Sequence, residues 1–295
     1  MVKLVQVKKV DLPNGETLAY REREGGKKIV LLIHGNMTSS KHWDVLIDAL
    51  DDDFRVIAVD LRGFGESSYY APIQQIKDFS DDIAQFVTVL ELHDFSIIGW
   101  STGGAVAMEY CADYPGHCTK LILLASASTR GYPFYGINAL GVYGRLCTYE
   151  EIKREPTKTI PVQHAYNTGN REFLKVIWNS MIYTQNKPEP CKYEEYIDDM
   201  MTQRNLAEVY HSLNIYNISS VHNGLVKGSG KVSEITIPVL VMRGNKDLVV
   251  TEQMTKEIIE DLGNNAIYKK LMDCGHSPLI DNLDLLNEEI QGYLK

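Results

Sequence analysis

Apolar runs of strand length alternate along the chain with longer stretches of helical periodicity. Short continuous apolar runs are typical of strands buried on both faces of a sheet, and apolar positions three or four apart are typical of helices packed on it. This alternation predicts the α/β class with a mainly parallel sheet. The predicted strands cover residues 4–10, 17–22, 29–33, 55–59, 95–99, 119–125, 238–243 and 266–271, and the predicted helices cover residues 40–50, 79–92, 102–113, 251–262 and 279–294.

The first two predicted strands differ from the rest because no helical stretch separates them. The turn Leu12-Pro13-Asn14-Gly15 joins them directly. A connection this short suits an antiparallel hairpin, whereas parallel neighbours need a long crossover. We therefore expect these two strands to form an antiparallel pair at one edge of the sheet.

One interval, residues 129–234, breaks the rhythm of strand and helix. It has helical patches at 149–154, 171–183 and 193–212 and many tyrosines, but no strand-like run. A loop of that length without structure of its own would be unusual in a compact domain. The sequence predicts a helical cap subdomain at 129–234, inserted between the sixth and seventh strands of a core formed by residues 1–128 and 235–295.

Composition and charge exclude several classes of protein. The 295 residues carry a formal net charge of -9, which disfavours binding to nucleic-acid phosphates. Five cysteines without a CxxC pair indicate neither a disulfide framework nor a thiolate zinc site. The longest apolar runs are far shorter than a membrane span. We expect a cytoplasmic enzyme or binding protein with no nucleic-acid partner and no membrane span, and the pattern leaves its oligomeric state open.

The strongest chemical signal is the segment Gly99-Trp100-Ser101-Thr102-Gly103, a GxSxG motif between a predicted buried strand and a predicted helix. A sharp turn that projects a serine side chain crowds the residues two positions before and after it, and this favours glycine at both. The motif in this context predicts that Ser101 is a nucleophile.

A nucleophilic serine needs a histidine base that a carboxylate orients. Of the eight histidines, His276 follows the last predicted strand, at the sheet edge where Ser101 is expected. Asp247 follows the preceding predicted strand and reaches the same edge. Asp273 and Asp281 lie closer to His276 in the chain, but they fit better as a turn former and a solvated helix residue. We predict a Ser101, Asp247 and His276 triad.

Acyl transfer also needs two N–H groups directed at the developing oxyanion. The backbone N–H of Thr102, at the start of the predicted helix, is one candidate. The turn His34-Gly35-Asn36-Met37 follows the third strand, and we assign the second N–H to Asn36. His34 is then expected to brace this turn by hydrogen bonding.

The segment 60–67 superficially resembles a glycine-rich phosphate loop, but it contains only Gly-x-Gly and does not lead directly into a helix. We interpret it as a structural turn with Asp60 and Arg62 paired to each other. The sequence has no HExxH, EF-hand or Walker motif, so we expect no metal and no cofactor.

These features together resemble the α/β-hydrolase superfamily over nearly the whole chain. The resemblance rests on His34-Gly35, the 60–67 loop, the Ser101 elbow, the cap insertion, and Asp247 with Gly275-His276. It implies an eight-stranded sheet with a cap, a Ser/Asp/His triad and acyl-enzyme chemistry without a cofactor. The haloalkane dehalogenase and epoxide hydrolase branches use aspartate as nucleophile, so Ser101 departs from them.

A narrower resemblance concerns the elbow Gly99-Trp-Ser-Thr-Gly-Gly104 and the cap segment Gln203-Arg204-Asn205. Both are similar to the cytoplasmic polyhydroxybutyrate depolymerases of bacilli, although Thr102 replaces a methionine of that group. The resemblance implies cleavage of short-chain 3-hydroxyacyl polyester. Perhydrolases and C–C bond hydrolases share GxSxGG, and these alternatives stay open.

The sequence indicates a hydrophobic ester substrate without specifying it. We predict that Met37, Trp100, Phe134 and Trp178 contribute to the substrate pocket, while most cap aromatics could instead form the cap's own core. The functional alternatives are a cofactor-free haloperoxidase or perhydrolase, a C–C bond hydrolase, and a non-catalytic ligand receptor on the same fold.

Overall fold

A computed structural model describes residues 5–138 and 140–295. Its strands are β1 (Val5–Asp11), β2 (Thr17–Arg23), β3 (Lys28–Ile33), β4 (Phe54–Val59), β5 (Phe95–Trp100), β6 (Cys118–Leu124), β7 (Tyr135–Ile137), β8 (Tyr143–Arg145), β9 (Val239–Gly244) and β10 (Ala266–Leu271). The main sheet has eight strands in the order β1-β2-β4-β3-β5-β6-β9-β10. From β4 to β10 neighbouring strands are parallel, while β2 pairs antiparallel with both β1 and β4. The predicted sheet and its antiparallel edge hairpin are confirmed.

The helices around the sheet agree with the predicted ones, with two breaks. They are α1 (Asp44–Ala49), α2 (Ile76–Val89), α3 (Thr102–Asp113), α9 (Glu252–Leu262), α10 (Pro278–Asp281) and α11 (Leu283–Leu294). The predicted helix at 40–50 begins as a 3-10 turn, Ser40–Trp43. The predicted helix at 279–294 is divided at Asn282, whose backbone is not helical (φ −158°, ψ 80°) and whose side chain caps α11 by accepting from the Leu285 N–H.

The apolar core lies on both faces of the sheet, as the continuous apolar runs require. In β3, Leu31 and Ile33 pack on the face covered by α2 and α3, whereas Val30 and Leu32 pack on the face covered by α1 and α11. Successive side chains of a strand point to opposite faces, so a strand covered on both sides is apolar at every position.

The interval 129–234 is mainly helical. Its helices are α4 (Tyr149–Lys153), α5 (Thr159–Thr168), α6 (Arg171–Met181), α7 (Pro190–Met200) and α8 (Leu206–Ile215). The single helical patch expected at 193–212 is thus two helices. The β7–β8 hairpin and α5 were not expected, because three-residue strands are too short to show an alternation and α5 contains Pro161 in its first turn.

The expected pairing of Asp60 with Arg62 is wrong. Arg62 Nε donates to Asp82 Oδ2 over 2.8 Å. The Asp60 carboxylate instead accepts from the backbone N–H groups of Ser40, over 2.8 Å, and Glu66, over 2.9 Å. Buried backbone N–H groups need hydrogen-bond acceptors, and the Asp60 carboxylate is the acceptor for two of them. Arg62 pairs instead with Asp82, a fully buried carboxylate on α2.

Candidate active site

Ser101 occupies a sharp turn between β5 and α3, as the GxSxG motif predicts. Its backbone has φ 55° and ψ −116°, a strained conformation for a residue with a side chain. A Cβ on Gly103 would lie 2.1 Å from the carbonyl oxygen of Ile33, and one on Gly99 would lie 2.5 Å from that of Gly103. Both glycines are therefore required by close backbone approach, and the turn leaves Ser101 partly exposed.

The structure brings His276 and Asp247 together. His276 Nδ1 lies 3.0 Å from Asp247 Oδ2 and 3.1 Å from Oδ1, and both side chains are nearly inaccessible to solvent. Asp247 also accepts from the N–H groups of Val249 and Val250. Burial on its own would raise the pKa of Asp247, but His276 and the two N–H groups together hold that pKa below its ordinary value. The carboxylate is thus ionised and can orient the imidazole.

Trp100, which the sequence predicts to contribute to the substrate pocket, contacts His276. It is only 1% exposed, and its indole Nε1 donates to the carbonyl oxygen of His276 over 2.9 Å. The centres of the Trp100 and His276 rings are 5.6 Å apart, so the residue that precedes Ser101 contacts His276 through both its ring and its N–H. The indole N–H thus finds its partner inside the protein, and the contribution of Trp100 to the substrate pocket stays a prediction.

The turn after β3 lies against Ser101. A Cβ on Gly35 would be 3.1 Å from the Cβ of Ser101. His34 braces this turn as expected, since its Nε2 accepts from the N–H of Leu61 over 2.9 Å. Complete burial lowers the pKa of His34 to about 4, so the ring is neutral and can accept that bond. In the chain, Asn36 follows Gly35, and Thr102, the residue after Ser101, begins α3.

The other predicted pocket residues divide into two groups. Phe134 packs with Leu146 and Ile152. Trp178 packs against Tyr183 and against His42 of the core. The contribution of these two buried rings to the substrate pocket stays a prediction. Met37 is partly buried at the turn beside Ser101, with φ 61°, and the hydroxyl of Tyr210 lies 4.0 Å from its Sδ.

Two supports of His276 were missed by sequence reasoning. Asp281, expected in solvent, is 8% exposed and accepts from the Gly275 N–H over 2.7 Å. His42 stacks on Trp100 with ring centres 4.6 Å apart, and its Nε2 lies 3.2 Å from Ser277 Oγ. Burial lowers the pKa of His42 to about 3. Its place within a predicted amphipathic helix was the available signal, and that signal does not identify its partners.

Residues 5–138 and 140–295 also bear on other classes of site. They contain no group of three or more His, Cys, Asp or Glu side chains that could hold a metal ion. In the same part of the chain, no helix is long and apolar enough to cross a membrane.

Comparisons with known proteins agree with this architecture. An AB hydrolase superfamily protein, YisY of Bacillus subtilis, is 24% identical over 91% of this chain and 92% of its own. A non-heme haloperoxidase of Rhodococcus erythropolis is 23% identical over 97% of this chain and 98% of its own. The solved structure of a thermophilic esterase from Thermogutta terrifontis aligns with a TM-score of 0.75 at 21% identity over 98% of both chains. The family model for the alpha/beta hydrolase fold matches residues 28–283, and the chain therefore belongs to this hydrolase family.

Proposed function

We propose that the protein is a serine carboxylic-ester hydrolase that works through an acyl-enzyme, with Ser101 as nucleophile, His276 as general base and Asp247 as the orienting carboxylate. The observation that carries the proposal is the strained Ser101 turn together with the buried His276–Asp247 pair, which Trp100, the residue before Ser101, contacts through the His276 carbonyl. Strain of this kind persists where surrounding structure enforces it, and such residues cluster at active sites.

The proposed reaction has two halves, formation of the acyl-enzyme and its hydrolysis, and the same three side chains act in both. His276 takes the proton of Ser101 as its oxygen attacks the ester carbonyl, and Asp247 stabilises the imidazolium that forms. His276 then protonates the leaving alcohol. In the second half it activates a water molecule that attacks the acyl-enzyme, and the acid is released with Ser101 restored.

The oxyanion would be held by the backbone N–H groups of Asn36 and Thr102. Thr102 supports this assignment because it begins α3, where N–H groups without intrahelical partners point outward. Asn36 supports it because it follows Gly35, at which an added Cβ would lie only 3.1 Å from the Cβ of Ser101.

For the substrate we propose a hydrophobic or short-chain ester. The partly buried surface near Ser101 includes Met37 and Tyr210, which combine apolar area with one hydroxyl. A short-chain 3-hydroxyacyl polyester is a finer candidate, and it rests on the sequence resemblance of the elbow and the 203–205 segment.

A second candidate is cofactor-free perhydrolysis or halide oxidation, favoured by the similarity to the Rhodococcus haloperoxidase. In this reaction peroxide replaces water in the attack on the acyl-enzyme. It would appear as halide oxidation that requires both peroxide and a carboxylic acid buffer.

The test is hydrolysis of p-nitrophenyl esters from acetate to palmitate and of amorphous poly(3-hydroxybutyrate) granules, by the wild type and Ser101→Ala. The proposal expects ester cleavage that falls by at least about a thousandfold in the variant. Granule clearing that depends on Ser101 would establish the polyester substrate. Ester cleavage unchanged in Ser101→Ala would overturn the proposal.

A further inference from the structure

The cap holds the turn that carries the proposed oxyanion donor. We call residues 34–39 the oxyanion loop. We call residues 199–205, which comprise the end of α7 and its connection to α8, the strap. Asp199 Oδ2 accepts from the backbone N–H of Ser39 over 2.8 Å, and Asp199 Oδ1 accepts from the Ser39 hydroxyl. Gln203 Nε2 donates to Asn36 Oδ1 over 2.8 Å. The strap therefore binds the oxyanion loop on both sides of Met37.

The backbone between these two contacts is strained. Met37 has φ 61°, in the left-handed region that residues with a side chain seldom occupy. Such a conformation costs about 1–3 kcal/mol and needs surrounding contacts to hold it. The side chains of Asn36 and Ser39 provide these contacts, and their partners described above lie on the cap.

Gln203 is itself fixed in orientation. It is 3% exposed, its Oε1 accepts from the hydroxyl of Tyr166 over 3.3 Å, and its Nε2 also donates to Asn205 Oδ1 over 3.1 Å. With an acceptor role on one side of the amide and donor roles on the other, the side chain has one orientation that satisfies all partners. It presents that N–H to Asn36 without reorganisation.

From this geometry we infer that Gln203 is a positioning residue for the oxyanion hole: through the Asn36 side chain it sets the direction of the Asn36 N–H, so that the cap and not the core alone determines transition-state stabilisation. The inference rests on the proposed function. A donor that turns away from the oxyanion weakens catalysis without weakening ground-state binding, because the charge exists only in the transition state.

The strap also attaches to a second core loop, and this provides a matched control. Thr202 Oγ1 accepts from the Gly65 N–H over 2.8 Å and donates to the Asp199 carbonyl oxygen over 2.6 Å, and neither bond is made to a residue of the oxyanion loop. If the strap merely fastens the cap, loss of the Thr202 contact and loss of the Gln203 contact should have similar effects. If Gln203 positions the donor, only its loss should change catalysis.

The experiment compares Gln203→Met and Thr202→Val with the wild type in p-nitrophenyl butyrate hydrolysis and in inhibition by a trifluoromethyl ketone, which forms an oxyanion when Ser101 adds to it. For Gln203→Met we expect kcat to fall by about 10- to 100-fold, less than the 10²–10³ for outright loss of one donor, with KM within about twofold. The ketone's inhibition constant should rise by the same factor as kcat falls. Thr202→Val should keep kcat within about twofold.

Two results would overturn the inference: folded Gln203→Met with unchanged kcat, or an equal loss of kcat in Thr202→Val. If Gln203→Met does not fold, Asn36→Ala tests the same link, because it removes the acceptor and leaves the backbone N–H in place; unchanged kcat there would also overturn it. Failure of the proposed function is distinguishable, since the wild type would then have no Ser101-dependent activity.

Discussion

Replacing Trp100 by phenylalanine tests whether this residue supports His276 or lines the pocket. The substitution removes the indole N–H that donates to the His276 carbonyl over 2.9 Å, at a site with 1% exposure. A buried carbonyl left without a donor costs about 1–3 kcal/mol. The smaller ring also leaves a void beside His42, which adds roughly 1 kcal/mol. We expect Trp100→Phe to lower the free energy of unfolding by about 2–4 kcal/mol.

Trp100→Phe should also lower kcat by a similar factor for substrates of every acyl length. When its carbonyl is freed, His276 can shift, and a displacement near 1 Å at a reacting group can cost about 100-fold in rate. We expect kcat to fall by about 10- to 100-fold for every acyl length from acetate to octanoate. Urea unfolding followed by circular dichroism gives the stability, and p-nitrophenyl ester hydrolysis gives the rates.

Trp178→Phe is the matched control. Trp178 is also buried and also packs on His42, but its indole N–H has no hydrogen-bond partner among the residues that the structure describes. Trp178→Phe should lose only the part of the free energy of unfolding that comes from packing, and its kcat should equal that of the wild type. The reasoning is refuted if Trp100→Phe costs no more stability than Trp178→Phe, or if its rate loss depends on acyl length, as expected of a pocket wall.

Three further predictions concern the turn, the carboxylate and a buried histidine. Gly103→Ala would place a Cβ 2.1 Å from the backbone carbonyl oxygen of Ile33, which cannot move aside easily. Thermal melting should therefore show a loss of more than about 3 kcal/mol in the free energy of unfolding, and a melting curve like that of the wild type contradicts this. Asp247→Asn should reduce kcat roughly 10³- to 10⁴-fold with the fold retained in circular dichroism, because the amide lacks the charge that stabilises the imidazolium and its NH2 can donate to His276 Nδ1, which favours the wrong tautomer; a loss under tenfold contradicts this role. His42, with a pKa of about 3, stays neutral in the folded state while the unfolded chain takes up a proton below about pH 6.5. The neutral buried His42 therefore stabilises the fold above pH 6.5, and this stabilisation is lost as the pH falls, by about 2 kcal/mol at pH 5. In urea unfolding, the free energy of unfolding of His42→Phe should decline less between pH 7 and pH 5 than that of the wild type. Equal declines in the two proteins contradict this prediction.

The strands, the Ser101 turn and the His276–Asp247 pair were predictable from the sequence for definite reasons. A strand covered on both faces is apolar throughout, and this marks β3, β5 and β9 clearly. The Ser101 turn is encoded by two glycines within five residues. His276 and Asp247 follow strands that end at the same sheet edge, so their proximity follows from topology.

The supporting contacts were not predictable, because they join positions far apart in the chain. Trp100 and His276 are separated by 176 positions, and Gln203 and Asn36 by 167. Local patterning shows that such residues are apolar or polar, but not which carbonyl or amide they meet. The Asp60 carboxylate illustrates this, since backbone donors took the place of the nearby arginine expected as its partner.

The central claim is that Ser101 is a nucleophile activated by His276, and covalent labelling tests it most directly. The wild-type chain is incubated with a fluorophosphonate and analysed by intact mass and peptide mapping, beside Ser101→Ala and His276→Ala. The account predicts one adduct per chain on Ser101, none in Ser101→Ala, and labelling at least about a thousandfold slower in His276→Ala. No adduct on the wild type, or an adduct on another residue, would contradict it.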